Sequence, residues 1–143
     1  MSALVAGLAL SWCLFTPPVD GPVIRPFAPV GAYGGHWGID LAVPEGTPVR
    51  PIAPGVVSFA GMVAGRASVT VDHGGAVRSS YSYLSSLLTT AGQRVDRSTL
   101  VGVTGVDRGI PALHLSVRVG GIYVDPTRVC SRLTPAEGLA LVA

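Results

Sequence analysis

The chain has 143 residues, with eight acidic and ten basic side chains and a net charge of +2. That length suits one domain with its own core, and the small, scattered charge lacks the basic patch that nucleic-acid binding needs. Two cysteines, Cys13 and Cys130, are too few for a disulfide framework.

Nineteen glycines and twelve prolines, with short Val/Thr/Ile-rich runs between them, predict an all-β domain of many turns. Met1 to Phe15 is almost wholly apolar and carries no charge. It is too short for a comfortable membrane span and resembles the apolar region of a signal peptide. Residues 1–19 are therefore expected to be a leader, and the mature protein is expected to be exported with no stable span. No basic residue precedes the run and no small-x-small cleavage site precedes Asp20; a start upstream of this sequence would account for both. The alternative is a hydrophobic N-terminal segment packed on the domain. Trp12 stands before Cys13 where a lipoprotein signal needs a small residue, and removal of the leader would leave Cys130 single.

The domain is expected over residues 20–130. Its strands are predicted at Val23 to Arg25, Ile39 to Val43, Val49 to Ile52, Val56 to Ala60, Ser68 to Asp72, Val77 to Tyr83, Leu100 to Val103, Leu113 to Val119 and Ile122 to Val124. Ser82 to Thr90 reads as a loop or short helical turn. Residues 131–143 read as a tail, with Thr134 to Ala143 short helical or disordered.

Two segments carry candidate metal ligands. In Gly34-Gly35-His36-Trp37-Gly38-Ile39-Asp40, a straight strand would separate residues 36 and 40 by about 13 Å. A helix would bring them to about 6 Å, but Gly34, Gly35, Gly38 and Pro44 oppose one. The consistent reading is a bend: His36 on a glycine-rich loop, Gly38 turning the chain into the strand that carries Asp40. Downstream, Leu113, Leu115, Val117 and Val119 alternate with His114, Ser116 and Arg118, the period of a half-buried strand. His114 then projects from the polar face, either as a ligand or as a hydrogen-bonded surface histidine. Ala112 lies on the same face one pleat earlier. Two imidazoles and a carboxylate form a set that zinc accepts, with water in the fourth position at catalytic sites.

The run from Val23 to about Arg128 resembles the lysostaphin/LytM family of zinc metallopeptidases, which cut peptide cross-links in bacterial peptidoglycan. His36-Trp37-Gly38-Ile39-Asp40-Leu41 is similar to the family's first metal motif, and Pro44-Glu45-Gly46-Thr47-Pro48-Val49 and Ala53-Pro54-Gly55-Val56-Val57 follow in the family's order. Val71-Asp72-His73-Gly74-Gly75 resembles its hairpin turn. Gly92-Gln93-Arg94-Val95 and Leu100-Val101-Gly102 resemble the stretch before the last motif, and Leu113-His114-Leu115 with Val117-Arg118 resembles that motif's end. The resemblance implies an antiparallel β-sheet sandwich or half-barrel of the LytM (duplicated hybrid motif) type. It also implies one Zn2+ held by His36, Asp40 and His114.

Two departures bear on activity. The family's last motif is usually His-x-His, and the first position here is Ala112; the family's Tyr-x-His-Leu segment reads Tyr81-Ser82-Tyr83-Leu84. Both histidines that the resemblance assigns to proton transfer and transition-state stabilisation are thus replaced. A positioned acid/base group contributes about 10²–10⁴-fold, and an oxyanion donor about 10²–10³-fold. Alanine supplies neither. Tyr83 retains a hydroxyl that can donate to an oxyanion, but with a reference pKa near 10 it is a poor proton acceptor; packing as a strand aromatic is its plainer role.

Other candidates are weaker. Glu45, as a replacement base, sits in what reads as an exposed turn. His73 falls at the hairpin turn, where the family has no ligand. Arg118 shares the His114 face, where it meets a substrate carboxylate or, more simply, covers the strand's polar side. Val49 to Val57 also resembles biotinyl and lipoyl carrier domains, but these are modified on lysine and the chain has none. Two function classes remain. One is an envelope module that holds peptidoglycan peptide stems or regulates a cell-wall hydrolase, as LytM-type proteins lacking catalytic residues do for amidases. The other is a working zinc endopeptidase.

Overall fold

A computed structural model describes residues 15–128, together with the backbone of 130–134 and 138–142. Cys13, the rest of residues 1–14 and the side chain of Cys130 lie outside the described residues. The described residues contain strands and no helix, and every strand pairing among them is antiparallel. The strands in chain order are β1 (Val23–Arg25), β2 (Ala28–Val30), β3 (Gly34–His36), β4 (Ile39–Ala42), β5 (Pro48–Val49), β6 (Gly55–Val63) and β7 (Arg66–Asp72). They continue with β8 (Val77–Leu87), β9 (Arg94–Val95), β10 (Gly102–Asp107), β11 (Ile110–Val119), β12 (Ile122–Val124), β13 (Cys130–Thr134) and β14 (Gly138–Val142).

One open sheet runs β1-β4-β11-β10-β8-β7-β6-β9, with β12 on β11 and β5 on β10; β2–β3 and β13–β14 are separate hairpins. Alternation of side chains gives the sheet two unlike faces. Leu113, Leu115 and Val117 on β11 join Ile39, Leu41, Val69, Val71, Val77 and Tyr81 in the buried core. Each such aliphatic side chain stabilises by roughly 1.5–3 kcal/mol when buried. A one-residue slip would expose the whole set, so the register is firmly specified. The polar residues between them are thereby committed to the other face.

Three differences from the predicted elements have clear causes. Ser82 to Thr90 is not a loop or helical turn: β8 continues to Leu87, because its far end pairs with β10 (Leu84 with Thr104, Leu87 with Gly102). A bulge allows this, with Ser68 opposite Ser82, Ala67 opposite Leu84, and Tyr83 left over. The strand predicted from Val49 to Ile52 shrinks to Pro48–Val49, since Pro51 has no N–H for a ladder. The tail is a hairpin, not a helix, with Cys130 opposite Val142 and Thr134 opposite Gly138. At the other end, Phe15 and Val19, placed with the leader by sequence, are buried in the core. The N–H groups of Thr16 and Arg50 donate to the carbonyls of Ile52 and Pro18.

A buried hydrogen-bonded chain crosses the core face. His73 Nδ1 lies 2.8 Å from the Pro54 carbonyl, which only accepts, so Nδ1 carries the proton. Nε2 then accepts from Ser79 Oγ at 2.8 Å, Ser79 accepts from the Tyr81 hydroxyl at 2.6 Å, and that hydroxyl accepts from the Ile52 N–H. Burial pushes the Tyr81 hydroxyl pKa up, which keeps it a donor. Burial likewise lowers the His73 pKa, outweighing the opposing hydrogen bond to Pro54. The neutral ring is therefore the native form, and the unfolded chain binds the proton more readily. Stability is full above the unfolded value near 6.5 and falls as pH drops from there toward the lowered native value. Denaturant unfolding at pH 7, 6 and 5 should show this decline, with a shallower slope in His73→Gln. Equal slopes in the two proteins would remove His73 as the cause.

Candidate metal centre

Strand register builds the centre. His114 on β11 stands directly opposite Asp40 on β4 and Ser82 on β8, and Ser82 stands opposite Ser68 on β7. Directly opposed side chains on one face start about 4.5–5.5 Å apart at Cβ, so Asp40 and His114 meet without further adjustment. His36 arrives differently. It ends the β2–β3 hairpin opposite Ala28, and the bend at Trp37 and Gly38 folds it back over β4. The predicted bend is present, although His36 closes a short strand rather than lying on a loop.

The three donor atoms form a tight triangle: His36 Nε2 to Asp40 Oδ1 is 3.1 Å, His36 Nε2 to His114 Nδ1 is 3.2 Å, and His114 Nδ1 to Asp40 Oδ1 is 2.8 Å. His36 and Asp40 are buried and His114 is partly buried. Four tetrahedral bonds of about 2.0–2.1 Å would set donors about 3.3 Å apart, so the triangle fits a zinc-sized cation with slight expansion. The tautomer fits as well. His36 Nδ1 is 2.8 Å from the Pro26 carbonyl and must donate to it, leaving Nε2 with a lone pair aimed into the triangle. For Asp40, burial raises the pKa. The hydrogen bond and charge of His114, then those of His36, outweigh burial and hold the carboxyl below its ordinary value. Asp40 is thus ionised, as a ligand must be.

Gly38 is required for the close approach. A Cβ there would run into the Leu115 carbonyl oxygen and lie 2.7 Å from His114 Nε2.

The positions flanking the triad are also informative. Ala112 is buried and opposite Ala42 and Gly105. Beside it is a cavity of about 170 Å³, lined among others by Arg25, Asp40, Asp107 and Ala112. Tyr83 is the only non-glycine residue with positive φ (63°) inside a described strand. Such a conformation costs about 1–3 kcal/mol and persists only where its surroundings impose it. The bulge aims the ring at His114, with centroids 5.8 Å apart and planes at 78°. Arg66 covers the ring from 4.5 Å and is anchored to buried Asp107 by a 3.1 Å ion pair. Sequence reasoning found Tyr83 but not Arg66 and Asp107, whose partnership depends on a contact across 41 positions. Glu45 is exposed in its turn. His73 is buried in the chain described above, on the core side of the sheet.

With this geometry established, comparison with known proteins identifies the class. Residues 34–126 match Peptidase family M23, and the chain belongs to that family of zinc metallopeptidases. It is 37% identical over 114 residues to the DD-carboxypeptidase/endopeptidase Mpg of Neisseria meningitidis, covering 76% of this chain and 26% of that protein. It superposes on a putative M23 peptidase from Pseudomonas aeruginosa with a TM-score of 0.67 at 35% identity, covering 79% of this chain and 48% of the other. A zinc-containing peptidase from Vibrio cholerae gives a TM-score of 0.69 at 29% identity, covering 80% and 39%. The chain therefore spans about a quarter of the Neisseria protein and under half of each of these two solved chains.

The triad makes a direct prediction. In a chelator competition assay, His114→Ala should lose stoichiometric zinc. Gly38→Ala should bind zinc at least tenfold more weakly while keeping its β-sheet circular dichroism. Unchanged zinc in His114→Ala would mean that the ion sits elsewhere.

Proposed function

We propose that this chain is a zinc-binding module of the cell envelope that holds the peptide part of peptidoglycan, or engages a cell-wall hydrolase there, with hydrolysis weak or lost. Export is supported by the apolar, uncharged run from Met1 to Phe15, of which Phe15 itself packs in the domain core. One observation carries the reading: all three histidines are already committed. His36 and His114 are in the triad, and His73 is bonded to Pro54 and Ser79 inside the core. No imidazole remains to move a proton.

His36, Asp40 and His114 would hold a zinc ion, which would supply Lewis-acid chemistry and an acidified water at the site. Around it, the chain's own contribution is a phenol. The Tyr83 hydroxyl is a donor suited to a developing oxyanion. Ala112 puts no imidazole on the other side of the triad; the cavity beside it is lined by Arg25 and by Asp107, whose carboxylate is already paired with Arg66.

The alternative is an active zinc endopeptidase. It is favoured by the retention of three converging ligands, which a module that only binds has no evident need to keep.

The experiment is zinc analysis together with release of peptides from purified peptidoglycan. The wild-type protein should carry one zinc and release little. The double substitution Ala112→His with Tyr83→His should raise release by orders of magnitude. Wild-type turnover equal to that of ordinary family endopeptidases would favour the alternative. A folded, zinc-loaded double variant that stays inert would show a groove adapted to binding alone.

A further inference from the structure

The face that bears the triad is arranged in rows one pleat apart. First come Asp40, His114, Ser82 and Ser68. Next come Ser116, Ser80 and Thr70, with Thr70 and Ser80 hydroxyls bonded at 2.7 Å. The third row is Tyr123, Arg118, Arg78 and Asp72. A single groove joins them: His114, Ser116 and Arg118 line one cavity of about 290 Å³, walled by Trp37 and Tyr123 on one side and Val63 on the other.

The third row is electrostatically unbalanced. Arg78 is paired with Asp72 at 3.4 Å. Arg118 stands directly opposite Arg78 and has no acidic partner among the described residues. It is half-buried, and its guanidinium lies 5.7 Å from the centre of the Tyr123 ring, which itself packs edge-on against Trp37 at 5.9 Å. A partly desolvated cation beside a like charge is unfavourable unless an anion joins it. The aromatic contact offsets part of that and keeps the planar fork in place, the form in which arginine takes a carboxylate through two parallel hydrogen bonds.

The geometry points to Arg118 as a carboxylate-binding subsite of the peptide groove, a role that rests on the peptide-holding function proposed above. Arg118 lies four residue steps beyond His114 along β11, about 13 Å at 3.3 Å per residue. An extended peptide with one peptide bond over the triad therefore places a carboxylate on Arg118 when that group lies three to four residues away. Arg66 is less suited to the task, since it is paired with Asp107 and covers Tyr83. The hydroxyl row between the two ends offers both donors and acceptors to a peptide backbone.

The test uses the zinc-loaded protein and soluble disaccharide-peptide fragments of peptidoglycan in three forms: all carboxylates free, the C-terminal carboxylate amidated, and the side-chain carboxylates amidated. Calorimetry on the wild type should show a loss of about tenfold or more in affinity for one amidated form. The form that loses affinity identifies the carboxylate's source. Arg118→Gln should bind the free form as weakly as that amidated form, and Arg118→Lys should fall between. Zinc content and thermal transition should stay at wild-type values in both variants. Equal binding of all three forms by the wild type, or undiminished binding of the free form by Arg118→Gln, would overturn the subsite. Failure of the wild type to bind any fragment would overturn the peptide-holding function itself, and the subsite with it.

Discussion

The pairing of β11 with β4 is the constraint on which the centre depends. It sets His114 opposite Asp40, while the same register sends Leu113 and Leu115 into the core beside Leu41 and Ile39. Metal geometry and hydrophobic burial are thus two results of one alignment. The core fixes the register at a cost of several side-chain burials for any slip, so the two ligands need no separate device to hold them together. The third ligand, His36, does need one. Its β2–β3 hairpin, the bend at Gly38 and the hydrogen bond to Pro26 bring it in and orient it.

The same sheet logic accounts for the rest of the groove. Because β8 pairs with β11 on one side and β7 on the other, serine and threonine positions on three strands fall into line behind the triad, ending at Arg118. At the opposite end the regular ladder breaks. The extra residue at Tyr83 takes a left-handed backbone conformation and turns its ring toward His114 under the Arg66 guanidinium. Bulges of this kind re-aim side chains next to functional sites. Here the side chain that is aimed is the Tyr83 phenol.

Much of this was legible in the sequence. The alternation from Leu113 to Val119 identified β11 and its polar face, and the glycines around His36 required a bend. The candidate ligands followed from residue type and spacing together with the family resemblance. What could not be read were features made by distant pairing. The extension of β8 to Leu87 depends on β10, and the bulge at Tyr83 exists only relative to Ser68 and Ala67. The Arg66–Asp107 clamp, and the lack of an acidic partner for Arg118 among the described residues, have no local signature. Short strands such as β2, β3 and β9 were missed because two or three residues carry too little periodicity to register.

The metal site is one of two imidazoles and one carboxylate, with His73 held out of reach in the core. X-ray absorption spectroscopy of the zinc-loaded protein measures this directly. Nitrogen and oxygen neighbours are expected at about 2.0–2.1 Å, with a scattering pattern fitted by two imidazoles. A third imidazole, which only His73 could supply, or a sulfur neighbour near 2.3 Å from a cysteine, would contradict it.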